Sequence, residues 1–339
     1  MRRFLGLPDG DRRDAFVVAA DAMGLPPAAV EKDFWVCWVL GRLQDAPEAG
    51  RNLAFRGGTS LSKVWGLIER FSEDIDLVVA PAALGITEDR LPSPLATRTL
   101  NARRSKGLDL ACEAWTTRKL RPLLSRCLGE TLPEGSWRLD VDPANAACLI
   151  LEYPRVVAGD AYVSGAVRIE LGAKADADPT EEAVIRPYVL ERLPGLDNQG
   201  QVAVRVVSER RTLWEKIFLL HAYASAPARE RARRNLSRHA YDVWKMAGTD
   251  IATAALADRA LWDSVLDNQM AAFRVNGLDY KAMRRGRLRL VPADDRRAAL
   301  EADYIGLRDS MIHGDSPEFG ELMAGLAELE ERISGGRGE

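Results

Sequence analysis

The run D-I-D-L-V-V (74–79) places two carboxylates two residues apart at the head of an otherwise apolar stretch. Strand side chains alternate between faces, so Asp74 and Asp76 share one face while Ile75, Leu77 and Val79 form a core-facing set on the other. Two like charges side by side repel one another, and a bound divalent cation with oxygen ligands relieves that repulsion. The sequence therefore predicts a strand over 75–79 whose polar face is a metal site, held in a sheet by its apolar face.

Upstream, F-R-G-G-T-S-L-S-K (55–63) sets two glycines and two hydroxyls where a short strand (52–55) gives way to a helix (61–70). Glycines at such a junction let backbone N–H groups come close to a phosphate, and a helix start adds partial positive charge. Gly57, Gly58, Thr59, Ser60 and Lys63 are the expected phosphate-binding set. A tight turn uses the same residues, so the case rests on the D-x-D run that follows. Ser72, two residues before Asp74, falls by alternation on the aspartate side. It caps the turn, or, if phosphorylated, brings about −1.5 to −2 charge beside the two carboxylates and blocks a triphosphate.

With 339 residues, 47% hydrophobic and 29% charged, the chain has the balance of a globular protein of one large or two ordinary domains. No uncharged apolar run reaches the ~18 residues of a membrane span, and M-R-R-F-L-G-L-P-D-G-D lacks the apolar segment of a secretory leader, so a cytoplasmic protein without membrane contact is expected. Cys37, Cys112, Cys127 and Cys148 form no C-x-x-C pair and read as buried thiols. His221, His239 and His313 show no metal-ligand spacing and are assigned structural roles. Phe34, Trp35 and Trp38 read as core. The net charge of −3 excludes a uniformly basic coat. Local basic stretches at 103–126 and 229–238 remain candidates for a nucleic-acid backbone.

Periodicity divides the chain into a mixed α/β part, 1–207, and a helical part, 208–334. Strands are expected near 137–142, 147–153, 166–171, 183–190 and 201–207, and a basic helix over 98–129 with a kink at Pro122. In the helical part Lys216 lies on the apolar stripe of Leu213 and Leu220, so its ammonium needs an anion: a nucleotide phosphate, or Glu209 or Glu215. Asp242, one turn from Arg238 and Lys245, reads as a site residue or as a local ion pair. Glu170 in V-R-I-E-L is the chosen third carboxylate, to orient or deprotonate an attacking hydroxyl, with Glu152 and Asp140 in similar strand settings.

Five ordered motifs carry a family resemblance: E-K-D-F-W-V (31–36), F-R-G-G-T-S-L-S-K (55–63), F-S-E-D-I-D-L (71–77), R-T-L-W-E-K-I-F-L-L-H (211–221) and R-H-A-Y-D-V-W-K-M (238–246). Together they resemble the AbiEii/AbiGii nucleotidyltransferase toxins, within the DNA polymerase β-like nucleotidyltransferase superfamily. The resemblance implies an α+β fold with a polymerase β-type mixed sheet followed by a helical domain that brings Lys216 and Asp242 to the site. It implies Mg²⁺, or Mn²⁺ in its place, on Asp74 and Asp76, and a monomeric toxin controlled by an antitoxin encoded nearby. In some members that antitoxin modifies the toxin, which makes Ser72 the candidate regulatory position. The implied reaction moves a nucleotide from an NTP to RNA, with the tRNA 3′ end as acceptor. A protein hydroxyl or a small molecule as acceptor, or a non-catalytic nucleotide-binding module, are the rival readings.

Overall fold

The computed structural model describes residues 1–47, 49–72, 74–158, 163–227 and 236–335. They form two compact units. The first comprises Met1–Val64, Phe71–Arg90 and Lys106–Val207; the second comprises Trp65–Arg70, Leu91–Ser105 and Ser208–Glu339.

The first unit is built on a seven-stranded mixed sheet. Its strands are β1 (Leu53–Arg56), β2 (Ile75–Val79), β3 (Arg138–Asp142), β4 (Asn145–Glu152), β5 (Ala166–Gly172), β6 (Thr180–Ile185) and β7 (Val202–Val207). Their order is β3-β4-β5-β2-β1-β7-β6. The centre is where the chemistry-bearing residues lie: β2 runs antiparallel to β1 and parallel to β5. Ile75, Leu77 and Val79 are buried, as their alternation requires, and Phe55 of β1 pairs with Leu77 on that face. The helix Pro27–Asp45 packs against β5 and β7 and buries Phe34, Trp35, Cys37 and Trp38 in an aromatic core that also holds Phe4, Phe16 and Tyr153. All four cysteines are free thiols, Cys127 half-buried and the others buried.

Three expected elements differ from what is found. The helix after the glycines spans Gly57–Lys63 rather than 61–70, because the glycines themselves form its first turn and Gly66, at φ +61, adopts a left-handed backbone that no helix continues through. The strand expected over 183–190 is β6, ending at Ile185. Pro187 has no N–H for a ladder and instead precedes a short helix, Tyr188–Arg192. The basic helix consists of Arg98–Trp115 and Arg121–Thr131 joined by a widened π turn at Thr116–Leu120. Pro122 explains the widening, since its ring crowds the carbonyl one turn back.

The second unit is helical, with Glu209–Ser225, Ser237–Ala247, Asp250–Ala257, Arg259–Ala272, Asp294–Met311 and Phe319–Gly335 as its main helices. Trp214, Phe218 and Trp262 meet edge-on or stacked in its core. Ser208 caps Glu209–Ser225 by accepting from the Arg211 N–H. Among the described residues no helix is long and apolar enough to cross a membrane.

Candidate active site

In the first unit the sheet register lines up one polar row. Asp76 is paired in register with Arg56 of β1 on one side and Glu170 of β5 on the other, and Glu170 in turn with Cys148 of β4. Residues in register project to the same face, so Asp76 and Glu170 sit side by side, with Asp74 two residues back along the polar face. The Glu170 carboxylate is engaged by Arg168, 3.1 Å away, which also reaches Asp142 at 2.8 Å. Burial pushes the Cys148 thiol up to about 11, with Arg168 opposing and Glu170 and Asp74 adding to the shift, so it stays protonated.

Gly57 joins the turn to this row. Its backbone is left-handed at φ +83, and a Cβ there would stand 2.1 Å from Asp76 Oδ2. Only glycine allows the turn to lie directly against that carboxylate. The hydroxyls of the turn, expected to face phosphate, brace the framework instead. Thr59 Oγ1 donates to the Asp74 carbonyl at 2.6 Å, and Ser60 Oγ donates to the Gly57 carbonyl at 2.9 Å. With the Thr59 proton so committed, the 2.9 Å contact between Ser72 Oγ and Thr59 Oγ1 has Ser72 as donor.

Lys63 likewise does not present its ammonium to the turn. Its side chain is 2% exposed and lies 3.0 Å from Asp33 Oδ1, 3.4 Å from Glu191 and 3.5 Å from the centre of the Tyr188 ring. Burial alone would lower its pKa, but the Asp33 carboxylate more than offsets this and raises it. Asp33 also accepts from the Tyr188 N–H at 2.6 Å. Lys63 therefore props the turn from below, its ammonium committed to Asp33, Glu191 and the Tyr188 ring.

The second unit holds the other two expected residues, and here they meet. Lys216 Nζ lies 2.9 Å from Asp242 Oδ2, so the anion this lysine requires is Asp242 and not the helix-neighbouring Glu209 or Glu215. Asp242 is fully buried and is gripped by Arg70, whose Nε donates to Oδ1 at 2.7 Å and whose Nη2 donates to Oδ2 at 2.8 Å. Burial pushes the Asp242 carboxyl up, yet Arg70 and Lys216 together hold it far below the usual carboxylate range. Lys216 has the opposite balance. Burial lowers it, the Arg70 charge lowers it further, and Asp242, shared with Arg70, does not compensate. His239 Nδ1 is 3.3 Å from Lys216 Nζ. Burial and the Lys216 charge keep His239 neutral, so its Nδ1 accepts from the ammonium and its proton sits on Nε2.

Arg70 and His239 are the residues that sequence reasoning passed over. Arg70 was expected at the end of a helix over 61–70, but the helix stops at Lys63 and Arg70 lies in the link before F-S-E-D-I-D, where no pattern marks its partner. His239 had a signal, one helical turn before Asp242, but was assigned a structural role. Within the basic stretch 103–126, Arg118, Lys119, Arg121 and Arg126 are exposed on the first unit. Of the second stretch, 229–235 lies outside the described residues.

The model of the family described as nucleotidyl transferase AbiEii toxin, type IV toxin–antitoxin system, matches residues 38–325. The chain belongs to this family. It is a nucleotidyltransferase toxin, and as such uses an NTP with a divalent metal and has an antitoxin partner. Among solved structures it is similar to MenT4, a nucleotidyltransferase toxin from Mycobacterium tuberculosis, at 17% identity over 98% of this chain and 100% of that one, with a TM-score of 0.42. JHP933 from Helicobacter pylori is also similar, at 14% identity over 90% of each chain and a TM-score of 0.39. No curated protein matches.

Proposed function

We propose that this toxin transfers a nucleoside monophosphate from an NTP to an RNA acceptor, the 3′ end of tRNA, in the cytoplasm and with Mg²⁺. The observation that carries the proposal is that Gly57 lies so close to Asp76 that a Cβ there would stand 2.1 Å from Oδ2, which sets the backbone of the glycine turn directly against the D-x-D run. The donor set is all carboxylate oxygen, the chemistry that Mg²⁺ prefers, and Mn²⁺ fits the same set. Among the described residues no three His, Cys, Asp or Glu side chains form a ready-made metal cluster. Asp74 and Asp76 would therefore hold the ion together with oxygens of the triphosphate. When bound, the ion supplies charge neutralisation to the triphosphate and its leaving group.

The chain's own residues do the rest. Backbone N–H groups of the turn 57–60 hold the phosphates, and Thr59 and Ser72 fix the turn relative to Asp74. Glu170, beside Asp76 in the sheet, orients the attacking hydroxyl and takes its proton, with Arg168 holding the carboxylate in place. Lys216 supplies positive charge toward the triphosphate, and Asp242 positions it. The exposed basic helix surface of Arg118, Lys119 and Arg126 follows an RNA backbone by charge, which makes binding fall with added salt.

The test is incubation with each α-labelled NTP and total tRNA, with and without Mg²⁺, for wild type, Asp74→Ala and Asp76→Ala. Label should enter tRNA only with metal, and each variant should lose at least about a thousandfold in rate while melting like wild type, since no core volume is removed. Wild-type rates in either variant would dismiss the carboxylate pair. Label on protein alone would dismiss the RNA acceptor.

A further inference from the structure

Arg70 occupies an unusual place in the chain. The residues Trp65–Arg70 stand between the glycine turn and the D-x-D run, both in the first unit, yet they belong to the second. They are docked there by their main chain. Arg70 bridges Ile312 in antiparallel fashion, and the Glu69 carbonyl accepts from the N–H groups of His313 and Gly314, at 2.9 and 3.3 Å. The Glu69 carboxylate accepts from the Asp315 N–H at 3.0 Å and from Lys245 Nζ at 2.5 Å. A Cβ on Gly314 would fall 2.3 Å from Glu69 Oε2, so the dock closes only on glycine. The backbone of Arg70 is thus fixed before its side chain does anything.

The side chain then forms a two-pronged grip on Asp242, which a planar guanidinium can make and an ammonium cannot. This decides how Lys216 is held. The two cations share one carboxylate, with His239 neutral beside them. An ammonium has three N–H donors. Asp242 Oδ2 and His239 Nδ1 take two, and among the described residues no acceptor takes the third.

We propose that Arg70 is a positioning residue for the transfer reaction: by holding Asp242 in a bidentate grip it keeps Lys216 from pairing fully with that carboxylate, leaving one ammonium donor for an anionic phosphate of the NTP. This rests on the nucleotidyltransferase reading above and assigns the second unit's part in it. Without Arg70, Lys216 and Asp242 close into a neutral pair and the lysine loses its reason to bind phosphate.

The experiment is a double-mutant cycle with Arg70→Lys, Lys216→Ala and both together, reading KM for the preferred NTP, kcat, and melting temperature. Arg70→Met is the more severe partner, and Arg70→Lys, which keeps the charge, serves should that variant not fold. Expected is a roughly tenfold rise in KM for Arg70→Lys with kcat changed less than about threefold, and a rise under about threefold when Lys216 is already alanine, because the arginine acts through the lysine. A folded Arg70→Lys or Arg70→Met protein with wild-type KM would overturn the proposal. An equal loss in both backgrounds would do the same, since a merely structural arginine destabilises each alike. Absence of NTP transfer by the wild type would instead overturn the reading beneath it, so the two failures are separable.

Discussion

Among the described residues, each unit of this toxin buries a lysine–aspartate pair, Lys63–Asp33 and Lys216–Asp242, and the two are opposites. In the first, Lys63 meets Asp33 with Glu191 nearby and the Tyr188 ring below, so acidic groups outnumber the cation. In the second, Lys216 and Arg70 share Asp242. The consequence appears in the lysines themselves: Lys63, after its burial cost, is raised by Asp33, whereas Lys216 is lowered by burial and by Arg70. The first pair is complete, and its role is to support the Gly57–Lys63 helix from below. In the second, one carboxylate is divided between two cations. A buried lysine is informative only when its whole charge neighbourhood is counted, because one aspartate at the same distance ends the search for an anion in one case and not in the other.

The largest expected effect comes from breaking the pairs at the acid. Asp242→Asn removes the carboxylate that both Arg70 and Lys216 contact and is expected to cost at least about 3–5 kcal/mol in urea unfolding of the helical unit. Asp33→Asn strands one cation that still has Glu191 at 3.4 Å and the face of Tyr188, so its cost should be smaller. An equal or greater loss for Asp33→Asn would break the comparison. Removing the lysines should sharpen it. Lys216→Met leaves Asp242 in its grip with Arg70, so stability should change by about 1 kcal/mol or less while NTP use weakens. Lys63→Met should do the reverse, leaving NTP affinity nearly untouched but stranding a buried carboxyl.

That second variant carries a pH signature. Burial already raises the Asp33 pKa, against the lowering by Lys63, and losing Lys63 raises it further. A carboxyl with a folded pKa above its unfolded value contributes stability below the unfolded pKa and loses it as pH rises through the folded one. Lys63→Met should therefore lose about 1.4 kcal/mol per pH unit from pH ~4 up to that raised pKa, and wild type far less. A flat stability profile in the variant would mean that water or another cation replaces the ammonium.

These contrasts also mark where sequence reading stops. The D-x-D strand and its sheet partners were legible because alternation is local: Ile75, Leu77 and Val79 announce a buried face, and Val167, Ile169 and Leu171 do the same beside Glu170. The helix Gly57–Lys63 was placed too late because a glycine pair signals a turn and not the helix it opens. Lys63 was read from its position beside the glycines, yet its partner Asp33 is thirty residues away on another helix, a pairing that no spacing encodes. Asp242 was read against Arg238 and Lys245, which share its helix, while its actual partners come from other segments of the unit. Local periodicity gives faces; the partners of buried charges are set by tertiary packing.

The smallest expected effect concerns Ser72, where the first unit's support meets its carboxylates. Its hydroxyl donates to Thr59, which donates to the Asp74 carbonyl, so Ser72 ends a two-bond chain that ties the glycine turn to the D-x-D run. Ser72→Ala removes one half-buried hydrogen bond and should cost about 0.5–1.5 kcal/mol, with transfer reduced only a few fold, since Thr59 keeps its own acceptor. Ser72→Asp differs in kind. A carboxylate cannot donate to Thr59, and it adds negative charge two residues before Asp74, beside the carboxylates proposed to hold the metal and triphosphate. NTP affinity should then fall well beyond the alanine variant at similar stability, and phosphorylation of Ser72 would act in the same direction with more charge. Comparing KM for the two variants, alongside mass spectrometry of the toxin expressed with its genetic neighbour, checks both steps. Equal KM in Ser72→Ala and Ser72→Asp would remove the electrostatic argument and leave Ser72 as a tie between the turn and the strand.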